Sequence, residues 1–328
     1  MDGPQIRAGI NIFERQSLLV LTSARDGTAD RMAETSAKFG TNLFRFNFDL
    51  WDEYEISVGP NDFQITDPTG RSIYSRDRPF VLERKPTLQS IAAGDAAEAP
   101  VLHGQLRGIF RHICAWAAQK SLLKLVDPWA EIRLPKLFQL KLAIDAGLRI
   151  PESRLVVNTT KGVNESTVVV KPLEESQLAD GTIWYTSVVA PQDLNPVFPW
   201  FQQSPRLSGQ DVTCVYVDGK LYFYICSFNR SESSPDWRVE INTDDQSLWR
   251  RYESAQTALE TPRIEKFMRL AGLHFGRLDF ILDDDGLWFL EVNPNGQFGW
   301  LDTDDLLLNS FWGAVLSPST TVAPLTGH

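Results

Sequence analysis

The stretch GRLDFILDDDGLWFLEVNPNG, Gly276 to Gly296, constrains the fold more than any other part of the chain. Two apolar arms flank Asp284, Asp285 and Gly286, which predicts a β-hairpin with a three-residue loop, a type I turn closed by a left-handed glycine. That register pairs Asp283 with Leu287, Ile281 with Phe289, Asp279 with Glu291, and Arg277 with Asn293. Strand side chains alternate, so Asp279, Glu291 and Asn293 share one face. Leu278, Phe280, Leu282, Trp288, Leu290 and Val292 form the apolar cover opposite. Two carboxylates directly across from each other repel unless a cation or a proton intervenes. The face therefore reads either as a solvated acidic surface or as a metal site. Magnesium is the simplest resolution, because hard oxygen ligands from Asp, Glu and an Asn amide suit it, above all when phosphates complete its shell. Asp283, Asp284 and Asp285, at the turn, read as solvated loop residues.

Composition limits what else the chain can be. Of 328 residues 43% are apolar, enough to fill a sizeable core. Asp and Glu number 42 against 32 Lys and Arg, a formal charge of -10 that argues against general nucleic-acid binding. Cys114, Cys214 and Cys226 have no metal-ligand spacing and their odd number cannot pair internally, which points to a reducing, cytoplasmic setting. His103, His112, His274 and His328 form no spaced set, against His-rich zinc chemistry. No apolar run is long enough to cross a bilayer and no targeting or lipidation motif is evident, so no membrane partner is expected.

Along the chain, SLLVLT, a helix over 29–38 and TNLFRFNFD form a strand, helix, strand start. FQITDPTGRSIYS reads as a hairpin turning at Asp67, Pro68 and Gly70. RPFVLERKP reads as a strand whose charged end, Arg84 and Lys85, is either solvated or an anion contact. A helix is predicted over Gln105 to Val126, and Pro128 and Pro135 bracket a link that places a boundary at about 128. PKLFQLKLAIDAGLRIPESRLVVN is a helix and strand, with Leu137, Leu140 and Ile144 at helical spacing and Gly147 as stop. TVVVKP, TIWYTSVVA and VTCVYVDGKLYFYICSF read as strands, the last a hairpin about Asp218-Gly219. SLWRRYESAQTALETPRIEKFMRLAGL reads as two helical segments parted near Thr261-Pro262, and the tail SPSTTVAPLTGH as frayed. The sum is an α+β chain built around antiparallel hairpins.

A metal and phosphate site also needs fixed cations. Lys171, ending TVVVKP, and Lys136, at the start of the preceding unit, are candidates, although a lone lysine is most often solvated. GxxxxGK[ST] and GxGxxG are both absent, so P-loop and standard dinucleotide sites find no support.

Taken together, PKLFQLKLAIDAGLRIP, VVVKP, FNR with PDWRVE, and DFILDDDGLWFLEVNPNGQFGW resemble the ATP-grasp fold, and within it the ribosomal peptide maturases of the graspetide or microviridin type. The likeness is weak over the first 128 residues and strong from Lys136 to Trp300. It implies an N-terminal α/β pre-grasp domain at 1–128, a central ATP-grasp subdomain at 129–203 and a C-terminal subdomain at 204–328. By that resemblance Asp279, Glu291 and Asn293 hold Mg²⁺ against the phosphates of ATP, and Lys136 and Lys171 touch those phosphates. Phe201, Gln202 and Gln203 resemble the hinge that meets adenine, and Asp211 belongs to the nucleotide site. Arg230 and Arg277 are implied as contacts to an anion or an acyl phosphate, and Arg238, of the DWR element, as a catalytic residue that touches nucleotide, substrate or Asp236. In two places the chain departs from its relatives: DVTCV puts Thr213 where they often carry arginine, whose charge it cannot replace, and LPK stands where they often have Asn-Lys.

The resemblance implies a cytoplasmic, dimeric ligase that phosphorylates an Asp or Glu side chain of a ribosomally made precursor. Ser or Thr then closes an ester, or Lys an amide. The precursor's leader, held outside the site, raises the effective concentration of its core. Two rivals stay open, a ligase joining an amino acid to a small molecule or protein terminus and a non-catalytic ATP-binding module.

Overall fold

The computed structural model describes residues 15–86, 98–158, 162–173, 186–229 and 248–324. Gln16–Thr22 is flanked by Thr41–Asn47 and Phe80–Glu83 in a three-stranded parallel sheet. All five apolar side chains of LLVL and Val81 within it are sealed from solvent, as the short uniformly apolar runs require. Asp26 caps the helix Gly27–Thr35 by accepting from the amides of Thr28 and Ala29. Glu55–Val58, Phe63–Thr66 and Ser72–Tyr74 form a small antiparallel sheet, including the hairpin about Asp67 and Gly70.

The next helix runs Ala99–Gln119, earlier than the span expected from periodicity. Pro100 suits its first turn and Ser121, at φ 59, lies just past its end, so Leu122–Val126 are buried outside the helix. The helix Lys136–Ala146 ends on Gly147 at φ 89 as expected, yet its stripe is rotated: Leu140 is buried while Leu137 and Ile144 are exposed.

A four-stranded antiparallel sheet comes next, in the order Ser153–Val156, Trp200–Gln203, Val168–Lys171, Ser187–Val189. The larger antiparallel sheet has the order Trp249–Arg251, Lys220–Asn229, Gln210–Val217, Phe275–Asp283, Gly286–Asn293. Asp218 and Gly219, both at positive φ, make the expected turn. One face of this sheet, through Val212, Cys214, Leu278, Phe280 and Phe289, packs on Lys136–Ala146 and on the helix Ala255–Ala271. The other, through Val215, Val217, Tyr224 and Phe275, packs on the N-terminal sheet and the helix Leu306–Leu316. At one end that second face changes character, becoming Asp211, Thr213, Arg277 and Asp279.

Two further expectations are corrected. Ala255–Ala271 is one continuous helix with Pro262 inside it; Ala258 and Pro262 are both exposed, so the carbonyl that the proline leaves unpaired is open to water. The tail is not frayed up to Pro324: Thr320 is sealed, and the Val322 amide donates to the Leu123 carbonyl. Among the described residues no helix is long and apolar enough to cross a membrane.

Candidate active site

The hairpin brings Asp279 opposite Glu291 and Arg277 opposite Asn293, as its sequence predicts, but by a different route. The loop is Asp284-Asp285 alone, with Gly286 paired directly to Asp283 at φ 125. Ile281 therefore faces Trp288, and Leu282 faces Leu287. A bulge at Leu290, between the Phe280–Phe289 and Asp279–Glu291 pairs, takes up the extra residue and restores the register. The predicted apolar cover changes accordingly. Leu287 and Phe289 are in the core, whereas Leu290 and Ile281 line a cleft together with Asp279 and Glu291. The outer edge is secured by the Phe289 amide donating to the Arg149 carbonyl and the Val292 amide to Gln139 Oε1.

The residues of this face line a cleft that is open to solvent. Pro151, Val169, Leu207, Ile281 and Leu290 supply its apolar wall, and Lys171, Asp211, Arg277, Asp279 and Glu291 its charge.

Each of the two opposed carboxylates has its own cation. Arg277 grips Asp279 in bidentate fashion, Nε to Oδ1 and Nη2 to Oδ2, each at 3.2 Å, and Thr213 Oγ1 donates to Asp279 Oδ1 at 2.9 Å. Lys136 Nζ lies 3.0 Å from Glu291 Oε2 and donates to the Pro172 carbonyl. All four charged side chains are less than one-third exposed, so these pairs are stronger than surface ion pairs. Asn293 Oδ1 accepts from the Asn295 amide. Gly296 permits the close approach of Arg277, since a Cβ there would stand 2.4 Å from the Arg277 Cβ. Among the described residues no three His, Cys, Asp or Glu side chains gather as a metal site. A divalent ion on this face would draw on Asp279, Glu291, the Asn293 amide, phosphate oxygens and water. This is the donor set of magnesium, which keeps few protein ligands.

Thr213 acts as a support for Asp279 and not as a source of charge. Arg277, whose strand lies beside that of Thr213, puts a guanidinium on the same carboxylate.

The other predicted residues divide. Lys171 and Gln203 line the cleft, as does Asp211, itself buried. Phe201 is buried in the core, its ring centroid 5.7 Å from Lys171 Nζ, and Gln202 Oε1 accepts from the Val163 amide. The Trp200–Gln203 strand is paired on both edges, so the cleft wall is made by Gln203 together with Ser204, Arg206 and Leu207 just beyond the strand. Arg230 and Arg238 lie outside the described residues.

Arg206, Leu207, Ile281, Leu290 and Trp300 were not legible as site residues. Arg206 lies 3.6 Å above the Trp288 ring centroid, with Nη1 3.8 Å from Asp283 and 3.7 Å from Asp285. Asp283 also accepts from Trp288 Nε1 at 2.9 Å. Asp283, its side chain buried, therefore anchors the segment after Gln203 in place of the solvation expected, while Asp284 and Asp285 are exposed as expected. The adjacency of SPRL to PWFQQ was the one available signal.

No protein-family model matches the chain, and no curated protein does. Solved structures do match. A Chryseobacterium gregarium RiPP-associated ATP-grasp ligase, in complex with ADP and a leader and core peptide, superposes with TM-score 0.77 at 22% identity, over 92% of this chain and 96% of that one. The macrocyclase MdnC of Microcystis aeruginosa MRC, bound with precursor peptide MdnA, gives 0.73 at 21% identity, over 92% and 99%. The ATP-grasp ligase PsnB, complexed with a phosphomimetic variant of minimal precursor, Mg and ADP, gives 0.66 at 19%, over 93% and 99%. The fold of this chain is the α+β ATP-grasp fold.

Proposed function

We propose that this chain is an ATP-dependent carboxylate ligase acting on a ribosomally made precursor peptide. It phosphorylates Asp or Glu side chains and closes intramolecular esters with Ser or Thr, or amides with Lys. The observation that carries the proposal is the pairing of Asp279 with Glu291 in the cleft, with Arg277 on Asp279, Lys136 on Glu291 and Asn293 opposite Arg277. The similar structures support the substrate class, since those proteins were solved with ADP, magnesium or precursor peptide.

A carboxylate is a poor electrophile because oxide is a prohibitive leaving group, and phosphorylation makes that oxygen leave as phosphate. When bound, magnesium on Asp279, Glu291 and Asn293 neutralises charge on the phosphates. Lys171 reaches the phosphates from the cleft wall. Lys136 and Arg277 turn from their carboxylates toward the phosphate oxygens, and Arg277 holds the transferring group through its planar fork. Val169, Leu207, Ile281 and Leu290 cover the base and exclude water. Within this reading the chain divides at 128 and 203, the hinge strand closing the central part, and Arg230 and Arg238 serve the peptide or the acyl phosphate. The reading includes a homodimer in the cytoplasm, which sedimentation velocity and fractionation check.

The test is incubation with ATP, Mg²⁺ and a candidate precursor carrying Thr or Ser and Asp or Glu. The peptide is expected to lose on the order of 18 Da per linkage, one water, with matching ADP and phosphate release. Peptide-independent ATP turnover without mass loss would point away from a peptide substrate.

A further inference from the structure

Of the charged strand end that sequence leaves open, Lys85 is half-buried, whereas Arg84 and the neighbouring Glu83 are sealed inside the molecule. Arg84 is fully buried among the rings of Phe275, Phe298 and Phe311, 5.8 to 5.9 Å from their centroids. Its Nε lies 3.5 Å from Asp26 Oδ2, itself fully buried and bonded by Thr22 Oγ1. Burying a guanidinium is costly and demands specific partners. Here the main hydrogen-bonded one is the side chain of Asn295.

That amide is read at both ends. Arg84 Nη1 donates to Asn295 Oδ1 at 2.8 Å, and Asn295 Nδ2 donates to Glu83 Oε1 at 2.6 Å. Exchanging oxygen and nitrogen would set donor against donor and acceptor against acceptor, so a single orientation is allowed. Asn295 in turn shapes the turn that closes the hairpin's far end. Its backbone amide donates to Asn293 Oδ1 at 3.1 Å, and the Gly296 amide donates to the Asn293 carbonyl at 3.1 Å. One lone pair of Asn293 Oδ1 is thereby taken and its side chain oriented, which leaves the second lone pair for a cation.

We infer that Glu83 and Arg84 are positioning residues for Asn293, acting through the Asn295 amide, so that the N-terminal domain sets the geometry of the metal-binding face. The inference rests on Asn293 being a metal ligand, as in the proposed function. Neither residue reaches the cleft; both act from behind it, as groups that orient metal ligands do.

Calorimetric titration of the full chain with ADP, in Mg²⁺ and in EDTA, tests it. In the unsubstituted protein Mg²⁺ is expected to strengthen ADP binding; absence of that coupling would defeat the functional reading itself. In Arg84→Met and Asn295→Ala the Mg²⁺-dependent gain is expected to fall about 10-fold, with EDTA-state affinity within about two-fold. Glu83→Gln, which keeps an acceptor for Asn295 Nδ2, is expected to retain most of the gain. Equal losses with and without Mg²⁺, or an unchanged gain in the folded variants, would overturn the inference. Loss of cooperative folding in both Arg84→Met and Asn295→Ala would also count against it, assigning the cluster to stability instead of ligand geometry.

Discussion

Lys136 Nζ and Glu291 Oε2 stand 3.0 Å apart, joining the first turn of a helix to the edge strand of the hairpin. With the Arg277–Asp279 pair beside it, the two carboxylates tolerate their direct opposition without a metal. A cation arriving there exchanges partners and does not have to relieve an unpaired charge.

Glu291→Gln keeps the shape and removes one charged ligand. The Mg²⁺-dependent part of ADP affinity is expected to fall at least about 10-fold, with little change in EDTA, by calorimetric titration.

Arg277→Lys keeps a positive charge but loses the fork that spans both oxygens of Asp279. Its kcat for ATP-dependent linkage is expected to fall roughly 100-fold, with a smaller change in KM, in steady-state assays.

Leu290→Ala trims a side chain that lines the cleft and lies outside the core. A loss of about 1 kcal/mol of contact, or roughly five-fold in nucleotide Kd, is expected, with the melting temperature nearly unchanged.

Burial pushes the Glu83 carboxyl up from 4.5 to about 7, against the opposing pull of Arg84. A carboxyl whose folded value exceeds its unfolded one holds its proton in the native state after the unfolded chain has released it. Its contribution is full below about 4.5 and is lost as pH rises through about 7. Stability is expected to decline across that window by on the order of 3 kcal/mol from this group. Glu83→Gln is expected to flatten the decline in denaturant titrations at pH 5, 6, 7 and 8.

Cys114, Cys214 and Cys226 are each fully buried, and burial raises the Cys114 and Cys214 thiols. Alkylation at pH 8 is expected to be negligible in native protein and complete in guanidinium, read by mass spectrometry.

Local chemistry made much of this legible. The existence of the hairpin, the Asp218-Gly219 turn and the Gly147 helix stop depend on neighbours within a few residues, where period and turn preference act directly. The helix containing Pro262 and the span of Ala99–Gln119 were less legible, because solvent exposure of one carbonyl and packing of the adjoining Leu122–Val126 segment overrode the local signals.

What the chain's order of residues determined was the hairpin, the alternation along its two arms and the α+β character, since alternation along two adjacent strands is written in consecutive residues. The tertiary structure alone decided that Lys136 meets Glu291, that Leu290 bulges into the cleft, and that Glu83 and Arg84 clasp Asn295 from the far end of the sequence. The reason is physical. Pairing between distant charges and the burial of a guanidinium depend on which surfaces pack together, and no local periodicity carries that information.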